Sequence, residues 1–169
     1  IVGEIGKFLL NGALYRGLRP VMWSPVEKTA LAEAEVEYHD HTSQTVTVRF
    51  PVVSSPVAGL DGASIVIWTT TPWTMPGNRA IAYNPDIAYA VYVVDAMEEG
   101  LAFEPWARPH DRLIVADRLA DEVRQAAKIA RWRRLEAVDC EGMVCAHPFA
   151  ALDSGYGFAV PLLAGDHVT

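Results

Sequence analysis

A threonine-rich stretch, "IVIWTTTPWTMPGN" at residues 65–78, contains the residue types best suited to chemistry. Where an apolar run ends, it places four threonines beside two prolines and Trp73; the threonines are Thr69, Thr70, Thr71 and Thr74. Hydroxyl groups there could hold a polar substrate while the indole supplies an apolar wall, which would make a small polar-rimmed pocket. The alternative is a strand-to-turn junction whose hydroxyls bond the local backbone. Composition alone leaves both interpretations open.

The threonine side chains follow the alternation of a strand. Thr69 and Thr71 should share one face, with Thr70 on the other, because successive side chains of a strand point to opposite faces. Pro72 should then end the strand and let the following Trp-Thr pair fold back. We therefore expect Thr70, Thr71 and Trp73 to line one pocket near the carboxyl end of this strand.

The other candidates for chemistry are weaker. Cys140, Cys145 and His147 form a Cys-x4-Cys-x-His cluster, but zinc needs four protein ligands or three and a water, and a fourth ligand is not obvious. Two buried cysteines on a strand are the favoured interpretation, so we expect no metal. The sequence also lacks a glycine-rich phosphate loop and a serine nucleophile elbow. His39 and His41 flank an aspartate in a polar stretch that is typical of a solvated turn.

The composition is that of a globular protein with a real core. The chain has 169 residues, of which 51% are hydrophobic and 21% charged, and a formal net charge of −7. The negative charge argues against a DNA-coating protein, although basic residues cluster at residues 124–134. The apolar runs are too short to span a bilayer, and two cysteines fit a reducing cytoplasm. The chain does not begin with Met, so we expect it to be a piece of a longer cytoplasmic protein.

The hydrophobic periodicity predicts a strand-dominated α+β domain resembling a β-barrel, with one main inserted helix. Residues 64–71 should form a core strand, and residues 33–38 another strand with a wet glutamate face. Residues 117–131 should form the main helix with Asp117 as its cap, and residues 4–10 a short amphipathic helix with Phe8 and Leu9 inward. The remaining predicted strands are apolar or alternating runs, among them "TVTVRFPV", "AYAVYVV" and "DRLIVAD".

Several segments together resemble one known domain. "WTTTPWTMPGNRAIAYNP", residues 68–85, closely resembles the threonine-rich motif of the editing domain inserted into isoleucyl-tRNA synthetases. "NGALYRGLRPVMWSPVEKTALAEAEVEYHD", residues 11–40, is similar to the segment that leads into that domain. "HDRLIVADRL" and "HPFAALDSGYGFAVPLLAGDHVT" resemble later pieces in the same order. The resemblance implies a leading segment at residues 1–40 and an editing core at residues 41–169. Valyl and leucyl enzymes carry related domains.

The resemblance also implies an activity. In the family, residues at the motif positions line a pocket for the 3′-terminal adenosine of mischarged tRNA(Ile) and its small aminoacyl group. The implied substrate-binding residues are Thr69, Thr70, Thr71, Trp73 and Thr74. Thr70 and Thr71 are the implied catalytic pair, placing water and steadying an oxyanion without acting as nucleophiles. The implied partners are tRNA(Ile), the valine product and the rest of a parent synthetase. No cofactor is expected here; the parent would use ATP and Mg²⁺ elsewhere.

Two departures from the family qualify this expectation. A second editing motif, roughly His-Thr-Ala-Pro-Gly-His-Gly with a following Asp, is not found before Thr169, and neither Asp166 nor His167 matches it. We therefore expect the chain alone to hydrolyse Val-tRNA(Ile) weakly or not at all. The class I ligase motifs His-Ile-Gly-His and Lys-Met-Ser-Lys-Ser are absent as well. Three alternatives stay open: a β-barrel module that binds an adenosine end or amino acid without turnover, an interaction domain with structural threonines, and a related editing domain of a valyl or leucyl enzyme.

Overall fold

The chain divides into two compact units, Ile1–Thr42 and Ser43–Thr169, and the computed structural model describes residues 1–168. The first unit contains an α-helix, α1 (Val2–Leu10), and an antiparallel ribbon of β1 (Trp23–Ser24) and β2 (Thr29–Ala30). The helix ends at Asn11 and Gly12 as predicted, with Gly12 at a φ of +79° that favours glycine. Phe8 and Leu9 were predicted to point inward but are exposed, because this helix buries none of its side chains.

The strand predicted at residues 33–38 is wrong. Glu33–Glu35 forms a 3₁₀ turn, closed by a 2.7 Å hydrogen bond from the Ala32 backbone N–H to the Glu35 carboxylate. Within residues 1–168 this segment pairs with no strand, and its side chains stay mostly exposed, so the alternating pattern has no buried face to form. Without a sheet to join, the helical preference of alanine and glutamate decides the local conformation.

The second unit is built on one eight-stranded mixed sheet. Its strands are β3 (Val46–Ser54), β4 (Ala63–Thr69), β5 (Ile81–Tyr83), β6 (Tyr89–Met97), β7 (Arg112–Ala116), β8 (Ile129–Val138), β9 (Val144–Ala146) and β10 (Ala159–Ala164). Their order is β5-β10-β9-β3-β4-β7-β6-β8. The pairs β5/β10 and β4/β7 are parallel and the other neighbours antiparallel. The strand-dominated α+β class is confirmed, but the sheet is open and does not close into a barrel.

The centre of the sheet is covered on both faces. In β6, Val91 belongs to one hydrophobic cluster and Tyr92 to another, and in β7 Ile114 and Leu113 divide in the same way. Alternate side chains of a strand point to opposite faces, so these two strands are buried on both sides. That explains why they read as continuous apolar runs without a wet face. The predicted core strand at residues 64–71 is β4, which ends at Thr69, so Thr70 and Thr71 lie beyond it.

The main helix is shorter than predicted. A 3₁₀ turn at Asp117–Leu119 leads into α2 (Ala120–Ala126), and residues 129–131 already belong to β8. Lys128, with a φ of +59°, turns the chain out of the helix, and Ile129 is fully buried in the sheet. Pairing with β6 therefore overrides the helical pattern. Asp117 does not cap α2. Within the described part of the chain, no helix is both long and apolar enough to traverse a bilayer.

Candidate functional site

The threonine loop, residues 69–74, begins at the carboxyl end of β4. Val46 of β3 is the register partner of Thr69, and β7 pairs with the amino-terminal half of β4 on its other side. Pro72 opens a 3₁₀ turn, Pro72–Gly77, as its fixed φ suits the first helical position. The sequence Thr-Thr-Thr-Pro thus ends the strand and bends the chain at once, which presents the loop at the edge of the sheet.

Three of the four threonine hydroxyls bond within the loop. The Thr69 hydroxyl oxygen accepts the Thr71 backbone N–H at 3.1 Å and lies 3.1 Å from the Thr71 hydroxyl oxygen. The Thr74 hydroxyl donates to the Thr71 carbonyl at 2.7 Å. Thr69 and Thr71 therefore lie on one side of the loop, as predicted, although these turn hydrogen bonds bring them together because Thr71 is beyond the strand. These bonds fix the shape of the loop, which is what the structural interpretation of the stretch requires.

Thr70 and Trp73 stand apart from this network. Thr70 is exposed, and its hydroxyl has no hydrogen-bond partner among residues 1–168. Trp73, in the 3₁₀ turn, is 75% exposed. Both residues are therefore accessible, and together they offer a hydroxyl and an indole to a ligand with polar and aromatic parts. The assignment of all five loop residues to substrate binding stays a prediction.

A cavity of about 350 Å³ lies beside the same strand. Its lining is mainly apolar and comes from β4, β5, β7 and α2, with Ile67, Ile81, Ile114 and Val123 among the contributors. Residues 69–74 are not part of this lining. The threonine loop therefore lies outside the lining of this cavity, and a pocket lined by Thr70, Thr71 and Trp73 stays a prediction.

Sequence reasoning missed Trp68 as a candidate. Trp68 lines the cavity and is 63% exposed, although it belongs to a strand. Its indole is therefore accessible directly before the threonine loop. The signal was present in the sequence, since a Trp-Thr pair occurs at residues 68–69 and again at residues 73–74.

The Cys-x4-Cys-x-His cluster is built into the core. Cys140 and Cys145 are buried free thiols, and burial raises the pKa of each to about 12. Both nitrogens of the buried His147 ring take part in hydrogen bonds to backbone groups. Residues 1–168 bring no group of three or more His, Cys, Asp or Glu side chains together in a way that could hold a metal ion.

The basic run at residues 124–134 is engaged in ion pairs. Arg131 and Arg133 both approach Asp95 on the neighbouring strand β6, with nitrogen-to-oxygen distances of 4.0 and 3.3 Å. Arg134 binds Asp117 at 2.8 Å. These guanidinium groups tie the edge strand β8 to the sheet, so the cluster that suggested a nucleic-acid contact has a structural use.

Comparison with known proteins places the chain in a family. A model of the class I tRNA synthetases (I, L, M and V) matches residues 2–146. The chain is 68% identical over its whole length to the isoleucine–tRNA ligase of Caulobacter vibrioides and 54% identical to that of Bradyrhizobium diazoefficiens. It is 53% identical to the enzyme of Rhodopseudomonas palustris. The chain spans about 17% of the length of each of these relatives. It belongs to the class I tRNA synthetases of the isoleucine, leucine, methionine and valine group.

Proposed function

We propose that this chain is the editing unit of an isoleucyl-tRNA synthetase and hydrolyses the ester of tRNA(Ile) mischarged with valine. The observation that carries the proposal is the threonine loop. It holds three hydroxyls in a fixed network and leaves Thr70 and Trp73 exposed. The loop lies in a chain that resembles isoleucine–tRNA ligases over its whole length.

A need for such a site follows from physical chemistry. Isoleucine and valine differ by one methylene, worth only about 1–3 kcal/mol in a hydrophobic pocket, and the isoleucyl enzyme is itself the usual illustration of this limit. A second site that admits valine but not isoleucine can remove the errors after they form. Such a site needs steric selection and hydroxyl groups, whereas the ester it cleaves is already activated.

The arrangement suggests a division of roles within the loop. The hydroxyls of Thr69 and Thr74 stabilise the loop by hydrogen-bonding the Thr71 backbone. The Thr70 hydroxyl is then free to orient a water on the ester carbonyl carbon. The Thr71 hydroxyl can donate to the oxyanion when the Thr69 hydroxyl is the donor of the bond between the two threonines. Water adds to that carbon, the bond to the ribose oxygen breaks, and valine leaves with the tRNA hydroxyl restored.

The indole of Trp73 completes the proposed contact. An exposed aromatic face can stack on the terminal adenine, as unpaired bases commonly do on aromatic side chains. The proposed partners are therefore the aminoacylated 3′ end of tRNA(Ile), the valine product and the remainder of the cytoplasmic synthetase. No step in this hydrolysis asks the chain for a metal or a cofactor.

Deacylation of Val-tRNA(Ile) by the full-length synthetase tests the proposal. Thr70→Val removes the hydroxyl at nearly constant volume and should slow turnover about tenfold to a hundredfold. Thr70→Ser keeps the hydroxyl and should stay within about threefold of the unaltered enzyme. Ser54→Ala, at the far end of β3, is a control for hydroxyl loss elsewhere.

Multiple turnovers would distinguish the editing hydrolase from a module that only binds an adenosine end. If the unaltered enzyme binds a non-hydrolysable valyl-adenosine analogue but releases no valine, the binding module is correct. If Thr70→Val deacylates as fast as Thr70→Ser, the loop is structural and the proposal is wrong.

A further inference from the structure

His147 lies next to the threonine loop although it is far from it in sequence. It directly follows β9, which pairs with β3, and β3 in turn pairs with the strand that carries the loop. His147 is 1% exposed, and among residues 1–168 only Ser64 is another buried polar residue. A polar group so deeply buried must have its hydrogen bonds satisfied inside the protein.

Aromatic side chains fix the plane of this ring. Tyr156 stacks on it with centroids 4.9 Å apart and planes 15° apart. Phe149 and Phe158 pack against it with centroid distances of 5.3 and 5.1 Å, and Arg79 covers the Phe158 ring at 3.7 Å. The imidazole therefore has little freedom to turn, and its two nitrogens point in defined directions.

The hydrogen bonds determine which nitrogen carries the proton. The Phe149 backbone N–H donates to Nδ1 at 3.1 Å, so Nδ1 is an acceptor and carries no hydrogen. A neutral imidazole with a bare Nδ1 is protonated at Nε2. Nε2 lies 2.9 Å from the Met75 carbonyl oxygen, to which it donates.

The Met75 carbonyl is the inner anchor of the turn that shapes the threonine loop. Met75 is the buried residue of the 3₁₀ turn, and its carbonyl also accepts the Asn78 backbone N–H at 3.1 Å. At the other end of the turn, the Thr74 backbone N–H and hydroxyl both donate to the Thr71 carbonyl. One end of the loop is held by its own hydroxyls, and the other by His147.

We propose that His147 is a positioning residue for editing: its Nε2–H holds the Met75 carbonyl, and this sets the direction of Thr70 and Thr71. The inference rests on the proposed function in naming deacylation as the affected reaction. His147 touches neither water nor substrate in this role. It acts only through the backbone of the turn, and it does so in the neutral tautomer described above.

Two variants of equal polarity separate the two hydrogen bonds of the ring. In His147→Gln the amide nitrogen reaches roughly the place of Nε2 and can still donate to Met75. In His147→Asn the shorter amide reaches roughly the place of Nδ1, so it can accept from Phe149 but cannot reach Met75. Both variants lose the aromatic ring and keep an amide, so each is the nearest control for the other.

The variants are compared in the full-length synthetase by steady-state deacylation of Val-tRNA(Ile). His147→Asn should lower kcat by about tenfold with KM changed less than about threefold, because a displaced loop affects the reacting groups more than the bound tRNA. His147→Gln should stay within about threefold of the unaltered kcat. Equal loss in both variants, or no loss in His147→Asn, would overturn the proposal.

A second measurement does not depend on catalysis. Hydrogen exchange of the Asn78 backbone N–H, which shares the Met75 carbonyl, should be faster by about tenfold in His147→Asn than in His147→Gln. Equal exchange in the two variants rejects the anchoring role whatever the enzyme does. If exchange differs as expected but the unaltered synthetase releases no valine, the anchor stands and the editing function is the part that fails.

Discussion

Two neighbouring strands, β4 and β7, both end in polar residues, but the hydrogen bonds of these residues differ. The strands are parallel, so their carboxyl ends lie toward the same side of the sheet. β4 ends in the threonine loop, and β7 ends in Asp117 at the start of a 3₁₀ turn. Both ends carry polar groups, but only one of them leaves such groups uncommitted.

The end of β7 is fully engaged in binding its neighbours. The Arg134 guanidinium donates to both Asp117 carboxylate oxygens at 2.9 and 2.8 Å, and the Tyr92 hydroxyl donates to one of them at 2.6 Å. The Arg134 and Tyr92 hydrogen bonds hold the pKa of Asp117 below its ordinary value. Burial, and then the hydrogen bond to Asp117, raises the pKa of Tyr92 to about 12.

The difference shows what to look for in a site. A polar cluster whose every group has a protein partner stabilises the fold, and the Asp117 cluster is of that kind. In the threonine loop three hydroxyls also have partners within the protein, but Thr70 and Trp73 are exposed. A hydroxyl and an indole that have no hydrogen-bond partner within the described residues can contact a ligand, whereas the groups of the Asp117 cluster cannot do so without breaking their own hydrogen bonds.

Alkaline pH should produce the largest effect, and it should act on the core and the Asp117 cluster. Cys140 and Cys145 have pKa values raised by burial from 9.0 to about 12, and that of Tyr92 is raised from 10.0 to about 12. Above pH 9 the unfolded chain loses these protons first, so the free energy of unfolding falls as pH rises. The loss for the two thiols should be on the order of 5 kcal/mol at pH 11. Urea unfolding of the chain between pH 8 and pH 11 measures it.

Tyr92→Phe provides the internal check on this prediction. The variant lacks the phenol, so its free energy of unfolding should fall less steeply between pH 10 and pH 12 than that of the unaltered chain, by up to about 1.4 kcal/mol per pH unit. Trp132 packs against Tyr92 with centroids 4.5 Å apart, so its fluorescence is a local probe of the transition. A stability that does not change between pH 9 and pH 11 would contradict the assignment of buried, protonated groups.

Removing Asp117 should have the next largest effect. Asp117→Ala leaves the Tyr92 hydroxyl and the Arg134 guanidinium without their acceptor and should lower the free energy of unfolding by roughly 2 kcal/mol. The partial exposure of both charged partners keeps the loss below that of a fully buried pair. Asp121→Ala, whose carboxylate is 91% exposed and 3.7 Å from Arg124, should change stability by less than about 0.5 kcal/mol. If both variants lost the same free energy of unfolding, the hydrogen bonds of Asp117 would not stabilise the fold more than the exposed ion pair of Asp121 does.

The sequence predicts the strands correctly where a run of apolar and β-branched residues is itself buried in the sheet. Residues 63–69, 89–97 and 112–116 are apolar and β-branched, and all three are strands of the sheet. The pairing of Thr69 with Thr71 was predicted from alternation, but Thr71 lies beyond β4 and hydrogen bonds within the turn make the contact. Local pattern fails where a distant partner decides: β6 draws residues 129–131 into a strand, and the glutamates at residues 33–37 have no partner strand at all.

In the candidate site, too, local features could be predicted from the sequence and contacts between distant residues could not. The threonine motif is local, so its residues could be named from the sequence. Pro72 begins the turn as proline chemistry predicts, although β4 already ends at Thr69. His147 could not be found in this way, because its role depends on a hydrogen bond to a residue 72 positions earlier. In the sequence its spacing from Cys140 and Cys145 raised only a metal site, which was the less favoured interpretation, whereas in the fold its nitrogens bond backbone groups.

The smallest expected effect lies within the loop itself and separates its two kinds of threonine. Thr69→Val removes the acceptor of the Thr71 backbone N–H and should lower the free energy of unfolding by about 1 kcal/mol, the usual net value of one hydrogen bond. Thr70→Val removes a hydroxyl that has no partner among residues 1–168, and should change stability by less than about 0.5 kcal/mol. Both substitutions replace a hydroxyl with a methyl group at β-branched positions, so backbone preference and volume are matched. Urea unfolding of the two variants at neutral pH gives the difference directly. A larger loss in Thr70→Val than in Thr69→Val would mean that the exposed hydroxyl is structural, and the contrast between the two strand ends would disappear.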